Sequence, residues 1–415
     1  MLKVEGGHRL SGKLSVEGNK NSALPLIAAC LLTDELCIIE NVPGIRDVQV
    51  LVELLRGLGA EIQGEGTATL RIRCRTVSSD RPDPAQVGKL RGSVLLLGPL
   101  LARRGSARLA QPGGDFPARR TISTHLQALV AMGAVPLLES GHALEAPEGL
   151  RGASMYLDEA SVTGTETALL AAAAATGPSE IRHAATEPHV VELCRFLRAM
   201  GVGIEGVGTS TIRVEPPSKL TGATHRLDGD YIEAGSWGVV AAITGGEIEV
   251  AGARSMDLEV VAAPLLKMGL RCTYDDDVLR VMPSTLSAAR KITTGLWPGF
   301  PSDMVSLVTV LATQAAGRTL VHDWLYELRL FALEQLSAMR ADLFLCDPHR
   351  IIVNGPTKLR GRHLDSRDLR SGMALIAAAL AAEGESSVAP LETVERGYAS
   401  LVERLTLLGA RVEKV

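Results

Sequence analysis

An α/β architecture assembled from six repeated units is what this 415-residue sequence predicts, and three observations carry that prediction. The first is a recurring phrase, an aliphatic residue, a Gly and a small or aliphatic residue, that closes apolar periodic segments. It stands at Leu58-Gly59-Ala60, Met132-Gly133-Ala134, Met200-Gly201-Val202, Met268-Gly269-Leu270 and Leu408-Gly409-Ala410, with a degenerate copy at Met339-Arg340-Ala341. The interval is roughly 70 residues, longer than the periods of simple solenoids, and each Gly suits the left-handed position that ends a helix. The second is an alanine- and leucine-rich helical stretch followed by a turn and a strand, as at 171–175 with Gly177, 239–243 with Gly245-Gly246, and 375–380 with Gly384. The third is composition: hydrophobic residues make up 46% and aromatic residues only 3%. Small and aliphatic side chains must then build the core, which suits helices packed closely on sheets. Each unit so contains two helices and several short strands.

In chain order, the first helices of the units start at Lys20-Asn21, Arg91-Gly92-Ser93, Ser161-Val162-Thr163, Asp230-Tyr231-Ile232-Glu233, Ser302-Asp303 and Asp368-Leu369-Arg370. Ser, Thr, Asp and Asn at such places are ordinary caps. Lys20, Arg91 and Arg370 are not, because a cation opposes the positive end of the helix dipole. An anionic ligand explains them, since helix N-termini and basic side chains together bind phosphate and carboxylate. If the units pack with their helices parallel, these ends converge on one cleft.

The totals exclude several classes. A length of 415 residues suggests two or three domains. A formal net charge of −4 argues against a general nucleic-acid binder, though not against a local cationic pocket. The six cysteines, Cys30, Cys37, Cys74, Cys194, Cys272 and Cys346, form no C-x-x-C pair, and their mostly apolar surroundings suit small hydrophobes. The start, Met1-Leu2-Lys3-Val4-Glu5-Gly6, lacks the apolar core of a signal peptide, and the alanine-rich run 168–175 is too short to span a membrane. A cytoplasmic protein with no membrane or nucleic-acid partner is expected. His125, His189 and the other histidines show no ligand spacing.

An ordered set of motifs gives the chemistry: Gly18-Asn19-Lys20-Asn21-Ser22-Ala23-Leu24-Pro25, Leu90-Arg91-Gly92-Ser93, Leu97-Gly98-Pro99-Leu100, Pro112-Gly113-Gly114-Asp115, Phe300-Pro301-Ser302-Asp303, Glu327-Leu328-Arg329, Asp368-Leu369-Arg370 and Glu395-Arg396-Gly397-Tyr398. Together they resemble the enolpyruvyl transferase family, within it the branch that acts on UDP-N-acetylglucosamine, over essentially the whole chain. The resemblance implies a two-lobed inside-out α/β barrel with three units per lobe. Residues 1–20 and 229–415 would form the lobe holding both termini, and 21–228 an inserted lobe carrying a catalytic loop near 111–121.

The resemblance also implies the activity. The carboxyvinyl group of phosphoenolpyruvate would pass to the 3-hydroxyl of UDP-N-acetylglucosamine with release of phosphate, the first committed step of peptidoglycan precursor synthesis, without metal or organic cofactor. Lys20, Arg120 and Arg396 would hold the phosphate, Arg329 and Arg370 the carboxylate, and Arg91 would face the same substrate. A guanidinium fork matches a carboxylate, so Arg suits the second pair better than Lys. Asp115, where many relatives carry Cys, would be the general acid, with a pKa raised toward working pH. Asp303 would be the base. Asn21, Arg120, Ser161, Val162, Ser302, Asp303 and Tyr326 would contact the acceptor. Fosfomycin attacks the family's loop thiolate, so a chain with Asp115 is expected to resist it.

The acceptor side departs from the family pattern. Thr121 and Ser123 replace a Pro and an Asp, Glu159 a Lys, Thr163 a Gly, and Thr186 and Tyr231 two Arg residues, while Pro117 should stiffen the loop. An acid facing a diphosphate is unfavourable unless screened or turned away. The alternative is a paralogous transferase for another nucleotide or sugar-like acceptor. A non-catalytic metabolite sensor is disfavoured by the complete cationic set and both acids. Oligomeric state is not read from the sequence.

Overall fold

The computed structural model describes residues 1–113, 121–138, 142–327 and 329–415. The chain divides into two compact units, Met1–Glu17 with Gly229–Val415, and Gly18–Asp228. The first division therefore falls before Gly18, where the sequence suggested Lys20. Close packing explains Gly18: a Cβ there would lie 2.0 Å from the Asn41 carbonyl oxygen and 2.9 Å from the Leu227 side chain.

In the unit containing both termini, three helices form the centre. They are Tyr231–Ile243, Val305–Gln314 entered through the 3₁₀ turn Ser302–Met304, and Leu369–Ala381. They pack on one another, and nearly every residue in them is buried. This follows from sequence: a helix apolar on all sides has no face to give to water, and its Ala, Gly and Ser residues let neighbours approach closely. Three four-stranded sheets accompany them. Each has one parallel and two antiparallel pairings. Lys291–Thr293 runs parallel to Gly317–His322, which pairs antiparallel with Arg350–Gly355, itself antiparallel to Asp342–Asp347. The same pattern joins His363–Asp365, Glu385–Ala389, Leu2–Glu5 and Arg411–Lys414. It also joins Ser11–Ser15, Glu247–Ala251, Val278–Met282 and Arg271–Asp275.

The other unit repeats the scheme. Its buried helices are Lys20–Ala29, Val162–Ala172, and Leu97–Arg104 continued from the 3₁₀ turn Arg91–Leu96. Two of its sheets are four-stranded, and the third, from Ser106–Leu109, His142–Glu145 and Val135–Pro136, has three strands among the described residues. The strand before each change of unit completes a sheet left short of it. Ser11–Ser15 pairs parallel with Glu247–Ala251, and Thr224–Arg226 with Cys37–Glu40.

The repeated phrase does what its glycines suggest. Gly59, Gly133, Gly201, Gly269 and Gly409 follow helices at φ between +81° and +100°, and Arg340 in the degenerate copy adopts φ +71°. At this phrase six helix ends are left-handed, five at glycines and one at an arginine held where L-residues are disfavoured. All six predicted starts also lie at helix N-termini. Asn19, Ser161, Asp230 and Asp368 cap through their side chains, while Arg91 and Ser302 open 3₁₀ turns. Among the described residues no helix is long and apolar enough to cross a membrane.

Candidate active site

Two polar clusters carry the predicted residues, one in each unit. In the unit with the termini, the cluster centres on Asp303, in the 3₁₀ turn opening the helix Val305–Gln314. Its Oδ1 lies 3.0 Å from Nη1 of Arg329 and its Oδ2 3.0 Å from Nη2 of Arg370. Arg370, on the first turn of Leu369–Ala381, is only 4% exposed. Burial opposes its charge, yet Asp303 and the other anions around it hold its pKa above the ordinary arginine value. Arg329 behaves likewise: burial works against the guanidinium, and Asp303 leads the groups that more than offset it. Arg329 also lies over the Tyr326 ring, 4.6 Å from its centroid, as cation–π attraction favours.

Behind these charges stands a second layer. Nη1 of Arg370 donates to the Tyr398 hydroxyl at 3.1 Å, and that oxygen is 2.8 Å from Oγ of Ser236. Nη1 of Arg329 donates to Oγ of Ser302 at 3.0 Å, and Ser302 donates in turn to Oδ2 of Asp323 at 2.6 Å. Arg404 pairs with buried Glu233 on the helix Tyr231–Ile243, and the Trp237 indole donates to the same carboxylate at 3.3 Å. Burial lifts the Glu233 pKa to about 7, with Arg404 pulling the other way. Arg396 follows the short helix Leu391–Glu395 and is half-buried.

In the other unit, Lys20 is the first residue of its helix, and its Nζ lies 2.8 Å from Oδ2 of Asp47. The preceding Asn19 caps that helix by accepting from the backbone N–H of Asn21 at 2.8 Å. Nη2 of Arg91 donates to the Thr121 carbonyl at 2.7 Å, and the Thr121 and Ser123 hydroxyls are 2.9 Å apart. Ser161 caps the helix that begins at Val162, both half-exposed. Thr163, on the first turn, meets Nε2 of His125 at 2.8 Å. Burial, reinforced by Arg91, depresses the His125 pKa to about 4. Glu159 is exposed and accepts from the Thr124 hydroxyl at 3.3 Å. Gly113 anchors the chain ahead of Asp115: a Cβ there would sit 2.1 Å from the Gly88 carbonyl oxygen. Asp115, Pro117 and Arg120 lie outside the described residues.

The structure thus brings Ser302, Asp303, Tyr326, Arg329 and Arg370 together in one unit, and Lys20, Asn21 and Arg91 to helix starts in the other. Sequence reasoning missed Asp47, Ser236 and Asp323, and gave Tyr398 no role although it ends a quoted motif. A carboxylate about 27 residues after Lys20, or about 20 after Asp303, carries no local signal. Only the fold pairs them.

Comparison with known proteins places this arrangement. Residues 4–405 match the EPSP synthase (3-phosphoshikimate 1-carboxyvinyltransferase) family. The UDP-N-acetylglucosamine 1-carboxyvinyltransferase of Bradyrhizobium diazoefficiens is 43% identical, across 99% of this chain and 97% of that one. The protein of the same name from Borreliella burgdorferi is 39% identical, across 99% and 98%. The crystal structure of the enolpyruvyl transferase NikO from Streptomyces tendae superposes with a TM-score of 0.89 at 26% identity, covering 99% of this chain and 98% of that one. An EPSP synthase from Acinetobacter baumannii shares the fold, with a TM-score of 0.77 at 20% identity over 100% of this chain and 99% of its own.

Proposed function

The chain belongs to the enolpyruvyl transferase family, and from that membership we propose that it transfers the enolpyruvyl group of phosphoenolpyruvate to the 3-hydroxyl of UDP-N-acetylglucosamine, releasing phosphate. It is a transferase; peptidoglycan precursor synthesis is the pathway this reaction opens, and the cytoplasm is its compartment. Full-length similarity to two proteins of that name supports the acceptor. The observation that carries the chemistry is the carboxylate of Asp303 set between two buried guanidiniums, Arg329 and Arg370.

Phosphoenolpyruvate carries a carboxylate and a phosphate. Arg329 and Arg370 already hold one carboxylate oxygen each, a geometry suited to an arriving carboxylate. The substrate competes with Asp303 for the same N–H groups. When it takes them, Asp303 loses counter-charge and becomes a stronger base. Substrate binding so prepares the group that removes the proton from the acceptor hydroxyl. Lys20, Arg120 and Arg396 take the phosphate, with Arg91 beside them. Asp115 delivers a proton to the methylene carbon, which leaves an oxocarbenium-like centre. The acceptor oxygen attacks that centre as Asp303 takes its proton, and loss of phosphate and a methyl proton restores the double bond. Asn21, Ser161, Val162, Ser302 and Tyr326 orient the acceptor.

The test is phosphate release from phosphoenolpyruvate with UDP-N-acetylglucosamine, UMP or shikimate 3-phosphate offered separately. Release with the UDP-sugar alone supports the proposal. Release only with another acceptor, or with none, overturns the acceptor assignment.

A further inference from the structure

Asp323 follows the strand Gly317–His322 and is 0% exposed. Its position is fixed from both sides, since its N–H donates to the His349 carbonyl at 2.8 Å and its own carbonyl oxygen lies 2.7 Å from Nδ1 of His349. Its carboxylate accepts from the Thr294 hydroxyl at 2.8 Å and the Leu325 N–H at 3.2 Å through Oδ1, and from the Ser302 hydroxyl at 2.6 Å through Oδ2. A fully buried carboxylate with three donors is a costly feature to keep, and the transfer chemistry above does not use it.

A serine hydroxyl has one proton and two lone pairs, while an ionised carboxylate and a guanidinium are an acceptor only and a donor only. The Ser302 proton is therefore committed to Asp323, and Ser302 faces Arg329 as an acceptor at 3.0 Å. The same Nη1 of Arg329 donates to Asp303 at 3.0 Å. One guanidinium nitrogen is thus aimed by two acceptors, one of which has its polarity set from behind. The other Ser302 lone pair meets no further donor among the described residues.

We propose that Asp323 is a positioning residue for the transfer reaction: by accepting the Ser302 O–H hydrogen bond it makes Ser302 an obligate acceptor toward its other neighbours, which aims Arg329 at the phosphoenolpyruvate carboxylate and leaves one lone pair for an O–H or N–H donor of the acceptor substrate. This rests on the functional assignment of Arg329 and Ser302 given above. Asp323→Asn keeps the shape but offers Nδ2–H donors where only acceptors stood, so Ser302 or Thr294 must turn. Without Asp323 as acceptor, the Ser302 hydroxyl proton can point at Arg329, donor against donor.

The experiment measures the Kd of phosphoenolpyruvate by calorimetry, and both KM values and kcat by phosphate release, in wild type, Asp323→Asn, Ser302→Ala, the double variant and Thr294→Val. Asp323→Asn is expected to weaken phosphoenolpyruvate binding at least tenfold. Ser302→Ala should weaken it similarly, the double variant should be no worse than Ser302→Ala, and Thr294→Val should stay within about twofold of wild type, because it removes a bond to Asp323 without touching Ser302. A lower melting temperature and kcat with unchanged Kd and KM values would make Asp323 merely structural and overturn the inference. If Asp323→Asn fails to fold, Ser302→Ala decides, and wild-type affinity there overturns it. Wild type that binds phosphoenolpyruvate but releases no phosphate defeats the functional proposal alone, and the Kd series still reads the role of Asp323.

Discussion

The two polar clusters are built differently. In the unit with the termini, Arg329 and Arg370 share one carboxylate, and each is aimed by a further buried group, Ser302 or Tyr398. In the other unit, Lys20 meets a carboxylate, Arg91 a backbone carbonyl and His125 a hydroxyl, so the described contacts tie each to a different neighbour. A shared buried network couples its members and raises the cost of losing any one. In the second cluster the described link between members is electrostatic, Arg91 acting on His125, rather than a shared carboxylate. The first cluster should therefore behave as a rigid carboxylate clamp whose arginines keep their charge across the working range, with Glu233 behind it, its pKa lifted to about 7, as the group that titrates. The second should tolerate substitution better and respond to acid.

The largest expected effect comes from breaking the clamp. Arg370→Ala takes from Asp303 one of its two described guanidinium partners and from Tyr398 the Arg370 donor. Removing one partner of a buried ion pair costs about 3–5 kcal/mol, and losing an oriented donor at a reacting centre costs about 10²–10³-fold in rate. Thermal melting and kcat/KM for phosphate release should both fall to that extent. Arg370→Lys should restore little, since an ammonium cannot serve Asp303 and Tyr398 from one planar fork. Near-complete rescue by Lys would show that charge alone matters and that the two clusters do not differ as argued.

A second expectation concerns Asp115. A carboxylate cannot form the thioether by which fosfomycin inactivates relatives with Cys in that place. The wild-type protein should keep its activity after prolonged incubation with the drug. Asp115→Cys should be inactivated irreversibly and in a time-dependent way while retaining transfer activity. Covalent inactivation of the wild type, seen as an intact-mass increase, would contradict this.

Much of the frame was legible in the sequence, for a physical reason. Helix starts and stops are local events, so Ser161, Asp230 and Asp368 announced caps and Gly59, Gly133, Gly201, Gly269 and Gly409 announced left-handed ends. The cations at helix starts stood out because they break a local rule. What stayed hidden were pairings between distant segments: Lys20 with Asp47, Glu233 with Arg404, and Ser302 with Asp323. A carboxylate's partner depends on which helices meet, and no short-range pattern encodes that. Glu233 in particular looked like one more polar residue in a helix's first turn, yet it is buried against Trp237 and Arg404.

Acid should distinguish the clusters next. The His125 pKa is depressed to about 4 by burial and by Arg91, against an ordinary value of 6.5. Between those values the unfolded chain binds a proton that the folded one refuses. The contribution is therefore fully present above about pH 6.5 and is lost as pH falls through about 4, to the extent of about 3 kcal/mol. Melting temperatures from pH 7.5 to 4.5 should drop more steeply for wild type than for His125→Gln, whose amide can still meet Thr163 without gaining charge. Parallel curves would mean that His125 charges freely and that this cluster is less enclosed than its geometry indicates.

The smallest effect tests the repeat itself. Five of the six helix ends use Gly in the left-handed region, and the sixth holds Arg340 at φ +71°. For an L-residue that conformation costs roughly 1–2 kcal/mol, while Gly brings back part of that cost through the greater freedom of the unfolded chain, about 0.4–1 kcal/mol. Arg340→Gly should therefore stabilise the protein by up to about 1 kcal/mol and leave kcat and both KM values unchanged. The same change in reverse at Gly409, also left-handed at φ +91° with no heavy atom within 4 Å of a built Cβ, should destabilise by a similar amount, since space is not what keeps the glycine there. If Arg340→Gly were neutral while Gly409→Arg cost several kcal/mol, backbone conformation would not be the common element, and the unit holding Arg340 would end its helix by other means than the five it resembles.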